Sequence, residues 1–189
     1  MLCIASFSGI AQEQKAIKDK VPTWFIEKGT IQFSSDAPLE LIEAESSTLQ
    51  GALDQDGKIA IKADMNSFSG FNSSLQQEHF RENYLETTKF PKAVFEGRII
   101  EQINFEEQGE YDVRVRGALL LHGVTKQRII KGKLIISEQG IELSSYFNIM
   151  LEDHKISIPK IMYQKISEVI FVDLRATLVI SDSVTLDEN

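Results

Sequence analysis

The stretch YDVRVRGALLLHGVTKQRIIKGKLII, Tyr111 to Ile136, decides the fold. From Tyr111 to Leu121 the odd positions are apolar or glycine and most even ones are polar until the end, the alternation of a strand with one buried face. Beyond the turn the parity reverses, with Ile130, Gly132, Leu134 and Ile136 alternating with Lys131 and Lys133. Residues facing each other across an antiparallel pair point to the same side of the sheet, so both apolar rows share one face only if the loop has an even length. The connection around His122-Gly123-Val124-Thr125 must therefore hold two or four residues, and His122 stands where the chain turns.

Parity reverses again after Ser137-Glu138-Gln139-Gly140. Ile141, Leu143, Ser145, Phe147, Ile149 and Leu151 then oppose Glu142, Ser144, Asn148 and Glu152, and Ile136 should face Ile141. Further strands read at about 24–34, 39–53, 58–68, 93–103 and 167–181. In the last, Ile170, Val172, Leu174, Ala176, Leu178 and Ile180 point inward, while Asp173, Arg175 and Thr177 point outward. About eight consecutive antiparallel strands joined by short connections favour a closed up-and-down β-barrel, which leaves no exposed edge. A β-sandwich is the alternative.

The segment SSLQQEHFRENYLETTKFP, Ser73 to Pro91, breaks the alternation. A serine followed three residues on by glutamine is a capping box, and Leu75, His79 and Phe80 fall at helical spacing. Pro91 marks the return to strand structure. One short helix over about 73–84, lying across an all-β barrel, is expected.

Length and charge narrow the function. A chain of 189 residues fits one domain with its own core. With 20 basic and 28 acidic residues and no concentrated basic stretch, nucleic acid is not an expected partner. The opening MLCIASFSGIAQEQ ends an apolar run in Gly9-Ile10-Ala11, which suits a signal-peptidase site after Ala11, although a basic segment is missing. Residues 1–11 read as a signal peptide whose start is truncated, 22–181 as the barrel domain, and 182–189 as an acidic tail. The product is then periplasmic or secreted. Its only cysteine, Cys3, falls in the leader, leaving no disulfide, thiolate metal site or cysteine nucleophile. No run approaches the ~18 apolar residues of a spanning helix.

Catalytic signals are sparse. His79, His122 and His154 fall in a helix, a turn and a loop without zinc-binding spacing, and neither a G-x-S-x-G elbow nor a glycine-rich phosphate loop is present. No metal and no cofactor is expected, and the protein reads as a non-enzyme. The interior carries more information. Gly97, Gly117 and Gly132 occupy inward positions of three successive strands, where glycine marks a bend or space for something else. An eight-stranded barrel can hold one small ligand. Ile61, Met65, Phe95, Leu119, Leu121, Leu134, Phe147 and Ile149 would line it, and Phe68, Phe71, Phe80 and Tyr84 would close one mouth. Such walls favour a hydrocarbon ligand, because burial of apolar area is the only large attraction they offer.

Three stretches, EHFRENYLETTKFPKAVFEG (Glu78–Gly97), GALLLHGVTK (Gly117–Lys126) and FNIMLEDHKISIP (Phe147–Pro159), resemble the YceI-like family in the form common in Bacteroidetes, over roughly residues 25–180. The resemblance implies a lipocalin-like, usually exported barrel that holds a polyisoprenoid lipid, such as an isoprenoid quinone or a polyprenyl phosphate. It also implies that His122 sits at a strand junction. His122, Lys126 and Arg128 are the candidates for contact with a polar head group. Two other functions stay open at this point: a ligand-free barrel that binds a protein or forms a homodimer, and a metal or enzyme site built from the three histidines.

Overall fold

The computed structural model describes residues 23–180, so the expected leader at 1–11 and acidic tail at 182–189 lie outside the described residues. Nine strands follow in chain order: β1 Thr23–Ala37, β2 Glu40–Ser46, β3 Gln50–Asp54, β4 Lys58–Asp64, β5 Lys92–Ile99, β6 Gly109–Leu121, β7 Val124–Ser137, β8 Gly140–Met150 and β9 Val169–Ile180. All pairings are antiparallel, and β1 also pairs with β9, from Trp24 opposite Ile180 to Ser34 opposite Phe171. That contact closes the sheet into a barrel.

Nine strands make eight staves, because β2 and β3 are one stave with a break. Both lie against the same edge of β1 in one register, Ile31 facing Ser46 and Phe25 facing Ala52. At the break the Ser46 hydroxyl accepts from the Thr48 amide and bonds the Ser67 hydroxyl at 2.6 Å. Leu49 then turns into the core, where it packs directly over Gly29. Continuous alternation from 39 to 53 cannot show this interruption, which depends on a contact with another strand.

Two strands end earlier than their alternation suggests. β4 stops at Asp64, whose carboxylate accepts from the Asn66 amide at 2.9 Å and caps a 3-10 turn over Met65–Ser67. β5 stops at Ile99, because the Glu101 carboxylate takes the Arg114 amide and Nε, both at 2.7 Å, where a backbone carbonyl would have continued the ladder. Both hairpins quoted above have the expected even loops. Leu121 pairs with Val124 around His122-Gly123, and Ile136 faces Ile141. The central residues of the first turn both have positive φ, 50° and 70°, the conformation whose twist matches a tight hairpin.

The helix α1, Ser74–His79, continues into a π-helical turn at Phe80–Tyr84, in agreement with the expected 73–84. Ser73 Oγ accepts from the Gln76 amide, and the Gln76 side chain returns a bond to the Asn72 amide, a variant of the capping box. Gln77 donates to the Phe68 carbonyl and Arg81 to the Asn66 carbonyl, which fasten the segment over one end of the barrel.

The two ends of the barrel differ. At one, Leu53, Leu134, Ile141 and Leu178 are completely enclosed and Trp24 packs on Phe105 with ring centres 5.1 Å apart. At the other, beneath α1, the interior is open. The β7–β8 ladder also runs only from Lys133–Ser144 to Ser137–Gly140. Towards the open end side chains span this seam instead: Ser145 Oγ donates to the Lys131 carbonyl and Arg128 to the Asn148 carbonyl.

The turn glycine is the most constrained backbone position here. A Cβ on Gly123 would combine φ of +70° with a 2.5 Å approach to the Phe90 ring. Gly123→Ala is expected to cost about 1–3 kcal/mol, read as a lower urea midpoint with an unchanged slope. An unaltered midpoint would show that the turn relaxes freely.

Candidate functional site: an apolar cavity under the helix

Period-two alternation sends one row of side chains from every strand into the barrel, and towards the α1 end they do not meet. A cavity of about 440 Å³ remains. Its wall comes from Ile31 and Phe33 of β1, Ile42 of β2, Ala93 of β5, Leu119 and Leu121 of β6, Phe147 and Ile149 of β8, and Ile170 and Val172 of β9. Met65, Phe68, Phe71, Phe80 and Tyr84 roof it. Phe80 anchors the roof, stacking on Phe33 at 5.3 Å and touching Phe71 at 5.1 Å and Phe68 at 5.8 Å. A second void of about 80 Å³ lies deeper, lined by Ile61, Phe95 and Gly132 among others. Ile31, Ala93, Leu119 and Phe147 border both spaces and form a waist between them.

Most of the expected lining is therefore brought together. Three positions are not part of it. Leu134 belongs to the packed end, 1% exposed. Gly97 and Gly117 face each other across β5 and β6. A Cβ on Gly117 would stand 2.4 Å from the Glu96 carbonyl and 2.8 Å from the Phe95 ring, so these glycines allow close strand approach and room for Phe95, not for a ligand. Sequence reasoning missed Phe33, Ile31 and Ile42, although alternation in β1 and β2 placed them inward. It also missed Leu151, although that residue ends the alternating row of β8, and Ile156, Met162, Lys165 and Ile166, which come from an irregular segment where periodicity says nothing.

Polar groups also line the cavity: the buried Ser35, and Glu40, Ser73, Gln76, His79, Tyr84 and Lys165. Ser35 Oγ accepts from the Ser167 amide, and Gln76 donates to Glu40 at 2.6 Å. Desolvation raises the Tyr84 phenol above its ordinary pKa.

The three candidate head-group residues stand outside the lining. Lys126 lies 3.8 Å from Asp153, and Arg128 spans the β7–β8 seam. His122 has Nδ1 3.0 Å from the His154 carbonyl and Nε2 3.1 Å from Glu86, while Phe90 packs edge-on to its ring. Both partners can only accept, so the ring makes both bonds when both nitrogens carry protons. Lys89, and next His122, hold the Glu86 carboxyl below its usual range. His122 thus ties the β6–β7 turn to the segment after the π turn and to the 3-10 turn Leu151–His154. The three histidines do not converge, and no group of three His, Cys, Asp or Glu side chains among the described residues is placed to hold a metal ion.

Comparison with protein families matches residues 25–187 to the YceI-like domain. The chain belongs to this family. Solved structures with the same fold include a polyisoprenoid binding domain from Saccharophagus degradans implicated in plant cell wall breakdown, with a TM-score of 0.71 at 17% identity, covering 85% of this chain and 99% of that one. BcnA of Burkholderia cenocepacia gives 0.61 at 11% identity, covering 80% and 96%. The Campylobacter jejuni YCEI protein gives 0.54 at 15%, covering 72% and 81%. At these identities they establish the fold. Comparison with curated proteins gave no match.

His154 links the site to solution conditions. It is fully buried, and its Nδ1 donates to the Val124 carbonyl at 3.1 Å. Desolvation lowers its pKa, with a smaller push from Arg128, against the opposing carbonyls of Val124 and Leu121 and the charge of Asp153. The folded state therefore prefers the neutral ring, and the unfolded chain binds the proton first as pH falls. This contribution is complete above the unfolded value of about 6.5 and declines as pH drops below it. Thermal unfolding from pH 7.5 down to 5 should show a steeper loss of Tm for the native chain than for His154→Asn. Parallel slopes would mean that His154 is not the responsible group.

Proposed function

We propose that the protein is an exported, non-catalytic carrier that holds a long apolar lipid of the polyisoprenoid or isoprenoid-quinone type inside its barrel. The observation that carries this reading is the cavity itself: a void within the roughly 300–1,000 Å³ range of small-ligand pockets, about 440 Å³ here, with mainly apolar walls and the exposed Lys165 among its few charged residues. Such a site orders a hydrocarbon tail inside and leaves a head group at the opening. Family membership supports it, as does the likeness to the Saccharophagus polyisoprenoid binding domain. The apolar leader ending at Gly9-Ile10-Ala11 supports export.

The arrangement also favours binding over chemistry. His122 is engaged by Glu86 and a carbonyl, and His154 is enclosed. Lys165, at the mouth, is the cation best placed to meet a polar or anionic head group.

Native mass spectrometry of the purified protein, followed by extraction and identification of bound lipid, tests the reading. A co-purifying or added isoprenoid should bind to the native chain. Ala93→Trp, which fills the waist, should weaken that binding by at least about tenfold while the circular dichroism spectrum stays that of a folded barrel. A protein that is ligand-free and takes up neither quinones nor polyprenyl phosphates would overturn it.

A further inference from the structure

The cavity mouth is surrounded by apolar side chains that the barrel does not use. Ile161 is 88% exposed, and Leu39, Leu75 and Tyr163 stand out beside it. They come from three separate elements. Leu39 sits at the β1–β2 turn, where its amide bonds the Gln164 carbonyl at 2.8 Å, Leu75 is on α1, and Ile161 and Tyr163 belong to the 3-10 turn Lys160–Met162 and its cap. Leu75 also lines the cavity, as does Met162 between Ile161 and Tyr163, so the outer apolar surface runs directly into the inner one. Packing cannot explain Ile161, since it meets almost nothing.

The charges in the same segment are of one sign. Lys155, Lys160 and Lys165 are exposed, and no Asp or Glu lies between Lys155 and Ser167, in a chain whose net charge is −8. None of the three has an ion-pair partner among the described residues, although Lys126, Lys133 and Arg175 elsewhere on the barrel do. Exposed Ile161 and Tyr163 flanked by the unpaired Lys160 and Lys165, with Glu40 beside Leu39 occupied by Gln76, match the interface of an anionic bilayer, where the tips enter the acyl boundary and the amines stay with the phosphates.

We infer that the mouth is a membrane-docking surface: Ile161, Tyr163, Leu39 and Leu75 seat on a bilayer containing anionic phospholipid, with Lys160 and Lys165 at its head groups. This rests on the reading of the cavity as a lipid site and states how its ligand is exchanged. A docked mouth lets a lipid tail pass between bilayer and cavity without crossing water, which removes the largest barrier to transfer of a hydrocarbon chain.

Flotation with vesicles of phosphatidylcholine and phosphatidylglycerol, and with phosphatidylcholine alone, tests this on the native chain. Binding should be confined largely to the anionic vesicles and should fall with added salt. Ile161→Asp and Lys160→Glu, both outside the cavity lining, should each reduce partitioning, the first by about tenfold or more. Both should keep the native Tm and the lipid content found by mass spectrometry. Native chain that retains lipid but does not float, or floats equally well as Ile161→Asp, would overturn docking while leaving the carrier reading intact. Flotation without any bound lipid would uphold docking and count against the carrier. A dimer in sedimentation velocity that Ile161→Asp dissociates, without any change in flotation, would assign the rim to a second copy of this chain and overturn the proposal.

Discussion

Pairing of β1 with β9 is the constraint on which the rest depends. β1 runs for 15 residues and serves both edges of the closure, meeting β9 on one side and β2 with β3 on the other. An open sheet of these strands would expose two unpaired edges and a broad apolar face. Closure satisfies the backbone and turns that face into an interior. Since an eight-stranded barrel has a fixed girth, its interior is either filled by side chains or left with a void. This sequence does one at each end.

The open end is held by polar bonds where ladder and packing are missing. Across the β7–β8 seam, Ser145 and Arg128 bond opposing carbonyls. The Arg128 bond, from an ionised donor to a carbonyl, is stronger than a neutral ladder bond. His122 joins three separate loops at the rim, and Phe80 places its ring among Phe33, Phe68 and Phe71 to fix the roof. The roof is thus attached by one aromatic contact set and a few side-chain bonds to carbonyls. Such an attachment is easier to open than a strand within a ladder.

What could be read from the sequence was whatever local chemistry determines. Even loop parity placed Ile136 opposite Ile141, and a serine three residues before a glutamine located α1. The inward rows gave most of the cavity wall. The break at Leu49 depends on Gly29, and the end of β5 on Glu101 reaching Arg114 across the sheet. Neither pair is adjacent in sequence, and only the folded sheet brings each together. Glycine at an inward position was ambiguous for the same reason: a Cβ on either Gly132 or Gly117 would crowd a carbonyl of the partner strand, Ser144 at 2.9 Å and Glu96 at 2.4 Å, yet only Gly132 also borders a void. The mouth was hardest to read. Residues 156–166 follow neither period, so Lys165 went unnoticed while His122, with its conspicuous neighbours, drew attention as a head-group contact.

Division of labour between the two ends explains how an apolar void is tolerated. A cavity forgoes the dispersion contacts of its lining and lowers stability relative to a filled core. Leu53, Leu134, Ile141 and Leu178, with the Trp24–Phe105 pair, supply dense packing at the far end, remote from the void. The waist at Ile31, Ala93, Leu119 and Phe147 separates the two regimes. Its smallest member is Ala93. A tail that passes it would restore the missing contacts of both voids, so occupancy and stability should rise together, as binding to the folded state alone requires.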